Sequence, residues 1–123
     1  MTYSNESKIA VLGIEKAIIV RDGAVSHAVA KAMAKAVRDR FGSDIGISIT
    51  GIAGPDGGSE AKPGGTFFVG YSAGDLTDSY HFFYPSSRNQ FRRYAAYKAL
   101  DVVRRHLLGR SIPTHVSDQG GAA

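Results

Sequence analysis

DIGISITGIAGPDGGSEAKPGG, residues 44–65, sets a strand against a long glycine-rich loop. Ile45, Ile47 and Ile49 alternate with Gly46, Ser48 and Thr50, and that period of two places three β-branched side chains on one face of a strand. The small residues on the other face let a helix or a ligand come close. Six glycines and two prolines fall between residues 50 and 65, so backbone N–H groups there can turn toward a ligand with no side chain in the way. Thr50, at the strand end, adds a hydroxyl that can donate and accept. Such a loop can hold an anion or an oxyanion; by itself it is equally a long irregular turn. It is not a P-loop, because no Gly-Lys-Ser/Thr follows at the required spacing, and it lacks the G-x-G-x-x-G of a dinucleotide fold.

Upstream, Ser4 or Asn5 can cap a short helix through Lys8, Ile9 and Leu12 that Gly13 ends. IEKAIIVRDG then leads back to a second helix. Ser26 is its N-cap, Gly42 its stop, and Val29, Met33, Val37 and Phe41 recur every four residues as its buried face. Downstream, TFFVGYS and SYHFFY read as strands joined by AGDLTD, a connection short enough for a hairpin. Ser86 or Ser87 caps a long helix running to about Leu108. Its inward stripe is read as Ala96, Leu100, Val103 and Leu107; followed backward by fours, that stripe reaches Arg92 and Arg88. Two guanidinium groups near a helix N-terminus suit a phosphate, which also meets free amides and the positive end of the dipole. The plainer alternative pairs them with carboxylates such as Asp22 or Asp78.

The chain has 123 residues, enough for one domain with one core. With no cysteine there is no disulfide, thiolate nucleophile or Cys-based zinc site, which is compatible with a reducing compartment. His27, His81, His106 and His115 show no paired metal-ligand spacing. The opening MTYSNESK is polar and the apolar runs are short, which predicts no signal peptide, no membrane span and a cytoplasmic protein. A net charge of +4 suits an anionic ligand. Nucleic acid is the weaker candidate. Arg92, Arg93, Lys98, Arg104, Arg105 and Arg110 scatter around the last helix with no recognition motif.

TYSNESK at 2–8, GAVS at 23–26, AxAMA at 30–34, TGIAGPDGG with KPGGT, and SRNQFRR at 87–93 together resemble the C-terminal domain of the CinA family. Free-standing members of that family are nicotinamide-nucleotide amidases. The resemblance runs in order from about Thr2 to Leu108. It implies an α/β fold, a three-layer α/β/α sandwich around a mixed sheet, spanning residues 1–110; residues 111–123 have no apolar period and read as a mobile tail. It also implies metal-free and cofactor-free hydrolysis of the carboxamide of nicotinamide mononucleotide to the acid and ammonia. An amide needs an activated nucleophile, a group that takes and returns its proton, and donors for the tetrahedral oxyanion. In the family a serine is the nucleophile, assisted by a tyrosine and a lysine that match Tyr3 and Lys8; Thr50 matches the family's active-site threonine. Gly51, Ile52, Ala53, Gly54, Gly57 and Gly58 would hold the nucleotide or the oxyanion, with Arg88 and Arg92 on the phosphate. Without the family match, Tyr3 and Lys8 read as an exposed tyrosine and a solvated lysine.

The family serine lies in an E-S-x-T-G-G block upstream of the TYSNE segment, and no such block occurs in these 123 residues. Relative to the family the chain therefore reads as N-terminally truncated, without a helix and strand of the sheet, which predicts an exposed strand edge and self-association into a homo-oligomer. Two accounts stay open. In one, the family's valine stands where Met1 does, its GTG codon is read as a start, and the gene begins upstream; in the other, the chain is a remnant or partner subunit that binds a nucleotide without turning it over. Gly64 stands where the family has valine in KPVGT, and IEKAIIV is more apolar than the usual stretch.

Overall fold

A computed structural model describes residues 16–54, 58–59 and 62–114. The helix expected around Lys8 and Leu12 lies outside them. The described elements are helix α1 (Lys16–Asp22), helix α2 (His27–Phe41), strands β1 (Ile45–Gly51), β2 (Thr66–Ala73) and β3 (Leu76–Phe83), and helix α3 (Arg88–Leu107). The three strands form an antiparallel sheet in the order β1-β2-β3, with Ile45 opposite Ala73 and Thr66 opposite Phe83. One helix covers each face, which makes three α/β/α layers. A parallel strand, which a mixed sheet requires, is not among the described residues.

The alternation in β1 sorts the two faces. Ile45 and Ile47 pack on an aromatic cluster of Phe67, Tyr71, Phe82 and Phe91, together with Val69, Ala95, Ala99 and Val102, between the sheet and α3. Phe67 is wholly buried there, stacked on Phe82 at 5.3 Å and edge-on to Phe91 at 5.4 Å between ring centroids. Burying one such ring stabilises the fold by about 1.5–3 kcal/mol. On the other face Gly46, Ser48 and Gly70 leave so little bulk that α2 lies with its backbone against the sheet. Ser48 Oγ donates to the Ala30 carbonyl at 2.6 Å. A Cβ on Gly70 would overlap that carbonyl, and one on Gly46 would overlap the carbonyl of Ala34.

Helix α2 begins and ends as its sequence indicates: Ser26 Oγ accepts from the Val29 amide at 3.2 Å, and Gly42 closes the helix with φ 60°. Its buried face is different. Val29, Ala30, Met33 and Ala34 are buried while Phe41 is 73% exposed. A repeat of four drifts by about 40° per step on a helix of 3.6 residues per turn, so three steps carry Phe41 about 120° away from Val29.

The stripe of α3 is corrected more fully. Its buried residues are Phe91, Ala95, Ala99, Asp101 and Val102, whereas Leu100 and Leu107 are 72% and 69% exposed. The true face is turned by about one residue, or 100°, from the expected one. Size decides this: the sheet presents large rings, and alanines at 95 and 99 let the helix approach them closely, where leucines would not fit. Ser87, of the two candidate caps, accepts from the Gln90 amide at 3.3 Å. The segment read as a return between helices contains α1, a seven-residue helix. Its Ile19 packs on Val29 and Met33, and that burial outweighs the weak helix preference of β-branched residues.

Candidate functional site

Because the strands are antiparallel and each helix is joined to its neighbouring strand by a short connection, one end of the sheet collects the end of β1, the start of β2, the end of β3 and the N-termini of both α2 and α3. The glycine-rich loop spans that end. Neither helix has an acidic residue in its first turn, so no carboxylate within those turns offsets the positive ends of the two dipoles. His27 fastens the start of α2 to β3, its Nδ1 meeting Ser79 Oγ at 2.5 Å and its ring edge-on to Phe68 at 4.6 Å.

The loop is closed by its own backbone. The Ile52 amide donates to Thr66 O at 2.8 Å, the Gly65 amide to Ile52 O at 2.7 Å and the Tyr84 amide to Gly65 O at 2.9 Å. Farther out Gly58 pairs with Pro63, and the Ser59 amide donates to Lys62 O at 3.0 Å. Several glycines thus have a packing reason. A Cβ on Gly51 would lie 2.6 Å from Phe67 Cβ and 3.0 Å from Phe91 Cζ, and one on Gly65 would lie 2.6 Å from Pro85 N. Gly58, at φ 86°, turns the hairpin.

Ala53 and Gly54 remain: among the described residues their amides donate to no other group. Gly54 adopts φ 84°, and its Cβ position lies 3.9 Å from Arg88 Cγ. The loop and the α3 N-terminus therefore meet at Gly54 and Arg88. Arg88 and Arg92 are exposed on α3; Arg88, three residues before Phe91 and seven before Ala95, is in line with the buried stripe, Arg92 is one residue off it, and neither forms an ion pair among the described residues. Asp22 pairs with Arg21 at 2.7 Å, and Asp78 accepts from the Ser79 amide at 2.8 Å. The two arginines are thus not committed to those carboxylates.

Thr50 is 5% exposed on the α2 face, and its Oγ1 donates to Ala24 O at 2.8 Å. Its proton is committed, which leaves the oxygen as an acceptor. Gly51 is paired with Phe67 in the ladder, and both backbone groups of Ile52 are engaged. Tyr3, Lys8 and Gly57 lie outside the described residues. Among the described residues no three histidine or acidic side chains are grouped to hold a metal, and no helix is long and apolar enough to cross a membrane.

Sequence reasoning missed Lys62. Its Nζ donates to Asp22 O at 2.9 Å and to Val25 O at 2.5 Å, across 40 and 37 residues. No periodicity reports such a contact.

The sequence matches the CinA C-terminal domain over residues 1–107. The chain belongs to the CinA C-terminal domain family. It is 44% identical over 110 residues to a CinA-like protein of Geobacter metallireducens, covering 88% of this chain and 26% of that protein. It is 46% identical over 110 residues to a CinA-like protein of Geobacter sulfurreducens, again covering 88% of this chain and 26% of the relative. The chain thus spans about a quarter of the length of these curated relatives. Among solved structures, the competence damage-inducible protein A of Klebsiella pneumoniae superposes with a TM-score of 0.82 at 27% identity, over 87% of this chain and 66% of that one. A CinA superfamily protein of Escherichia coli gives 0.80 at 26%, over 85% and 60%. The three-layer arrangement is therefore that of the CinA superfamily.

Proposed function

We propose that this CinA domain holds the mononucleotide of a nicotinamide-nucleotide amidase. The observation that carries the reading is the meeting of Gly54 with Arg88 at the N-terminus of α3: among the described residues the Ala53 and Gly54 amides donate to no other group and the Arg88 guanidinium forms no ion pair. A phosphate monoester suits that environment, since it accepts from backbone amides and from a guanidinium fork together. The net charge of +4 favours approach of an anion.

In the reaction a nucleophile adds to the carboxamide carbon, the C–N bond breaks, and ammonia leaves after the nitrogen takes up a proton; water then releases the acid. Lys8 takes and returns the proton with Tyr3 as relay, and Thr50, whose own proton goes to Ala24, accepts from the substrate or the nucleophile. Turnover requires the serine of the E-S-x-T-G-G block, which these 123 residues do not contain. Binding does not require it. Titration calorimetry with nicotinamide mononucleotide tests the reading: Arg88→Ala is expected to weaken affinity by about 10- to 100-fold, the loss of one charged hydrogen bond. Nicotinamide riboside, which lacks the phosphate, should not distinguish the variant from the parent. Equal mononucleotide affinity in both proteins refutes the phosphate contact.

A further inference from the structure

The turn between α1 and α2, residues 22–25, is not part of a helix or strand ladder beyond Asp22, and every one of its carbonyls is met by a side chain. Asp22 O and Val25 O accept from Lys62 Nζ, Gly23 O accepts from Ser26 Oγ at 2.8 Å, and Ala24 O accepts from Thr50 Oγ1. Two of these donors, Lys62 and Thr50, belong to the glycine-rich loop and the strand that leads into it. The Lys62 ammonium takes the place a small cation would occupy among converging carbonyls. It also lies at the C-terminal end of α1, where a positive charge is favoured. Gly23, at φ 82°, leaves room for it: a Cβ there would stand 3.3 Å from Nζ.

We propose that Lys62 is a positioning residue that ties the glycine-rich loop to the turn between α1 and α2 and so holds Gly54 at the nucleotide site. The base of the loop is fastened on the α3 side through Ile52, Gly65 and Tyr84. Its tip is a small hairpin in which Ser59 and Lys62 bond reciprocally, the Ser59 amide to Lys62 O and the Lys62 amide to Ser59 Oγ at 3.2 Å. The Lys62 side chain is the only hydrogen-bond tether that the described residues show between this tip and the α2 side. These fastenings, at Ile52 and at Lys62, bracket Gly54 in the chain, and Gly54 is where the loop meets Arg88. Release of the ammonium frees the tip and leaves two carbonyls without a donor. The proposal rests on the reading of this loop as the mononucleotide site.

The absence of native cysteine makes a clean test possible. Lys62→Cys removes the ammonium, and alkylation with bromoethylamine rebuilds a lysine-like side chain at that position alone. Two readouts are needed: amide hydrogen exchange at Ser59, which reports the tip, and calorimetric affinity for nicotinamide mononucleotide. Expected are roughly tenfold faster exchange at Ser59 and roughly tenfold weaker binding in Lys62→Cys, both restored by aminoethylation, with the Ile52 amide at the loop base unchanged. Unchanged Ser59 exchange overturns the tether, and faster exchange with unchanged affinity overturns its role in the site. If the unsubstituted protein does not bind the mononucleotide, the proposed function fails, and Ser59 exchange still decides whether Lys62 holds the loop. Should Lys62→Cys lose protection throughout the sheet, Lys62→Arg serves instead. It keeps the charge and the donors, and Ser59 exchange within about threefold of the parent is expected; exchange at the rate of an unfolded chain overturns the proposal.

Discussion

Replacing Gly70 by alanine puts a methyl group where the α2 backbone touches the sheet. The added Cβ would overlap the Ala30 carbonyl oxygen and Ser48 Oγ and would stand 2.7 Å from the Ala30 carbonyl carbon. Two of those three atoms are main chain, so no side-chain rotation relieves them. Overpacking of this kind costs about 1–3 kcal/mol, and losing the Ser48 to Ala30 hydrogen bond adds about 1 kcal/mol. Alanine recovers about 0.5–1 kcal/mol as the less flexible residue in the unfolded chain. The net loss is about 1–3.5 kcal/mol, with Tm lower by at least about 3 °C for a domain of this size. Urea unfolding measures it, and Gly70→Val should cost still more. Gly74 is the control: at φ 58° with nothing within 4 Å of its Cβ position, its cost is conformational and should be alike for alanine and for larger unbranched side chains. A Gly70→Ala protein within about 0.5 kcal/mol of the parent would refute the close approach of α2.

Three further expectations concern pH. His106 stacks on Tyr71 at 3.8 Å and shares a 2.8 Å hydrogen bond with the Tyr80 hydroxyl. Burial holds the His106 imidazole below its ordinary value against the opposing pull of Asp78. Its contribution is therefore complete above the unfolded value near 6.5 and is lost as pH falls through the lower folded value. His106→Phe, which keeps a ring but does not titrate, should flatten the stability profile between about pH 7 and pH 5; an unaltered slope contradicts this. Burial first, then the nearby Asp78 and Tyr71, push the Tyr80 phenol up to about 12. Being raised, it stabilises fully below the unfolded value near 10 and loses that contribution as pH rises. Ultraviolet titration should show one tyrosine ionising near pH 12, absent in Tyr80→Phe. At the acid end, hydrogen bonds from Arg105 and then Arg104 hold the Asp101 carboxyl below its usual range. Stability from that pair of contacts is present above about pH 4 and fades as pH falls, and Asp101→Asn should remove this part of the acid transition.

Where local chemistry sets the structure, the sequence is a good guide to it. Ser26 and Gly42 bound α2 because a cap hydroxyl and a left-handed glycine act within one turn. The isoleucine alternation of β1 places Ile45 and Ile47 on the aromatic cluster because a strand has an integral period. The buried stripe of α3 could not be read from hydrophobicity alone. Leu100 and Leu107 are the more apolar residues, yet Ala95 and Ala99 face the sheet because Phe67, Tyr71 and Phe82 already fill the space. The same error of phase set Arg92 in line with the core, whereas Arg88, three residues before Phe91, does lie in line with the buried stripe. The structure puts Arg88 beside Gly54. Lys62 was illegible for a different reason: its partners are backbone carbonyls, which every residue has.

The two helical layers meet the sheet through different materials, and this divides the molecule mechanically. On the α2 side, carbonyl oxygens of Ala30 and Ala34 sit in the hollows left by Gly70 and Gly46 like pegs in sockets. A peg cannot slide to the next hollow without leaving its own, so α2 and the sheet move as one body. On the α3 side the contact is made by ring against ring, Phe91 and Tyr94 on Phe67, where small tilts cost little. Any widening of the end that holds Gly54 should therefore be carried by α3, and Arg88, mounted on its first turn, would travel with the moving part while Thr50 stays with the fixed one.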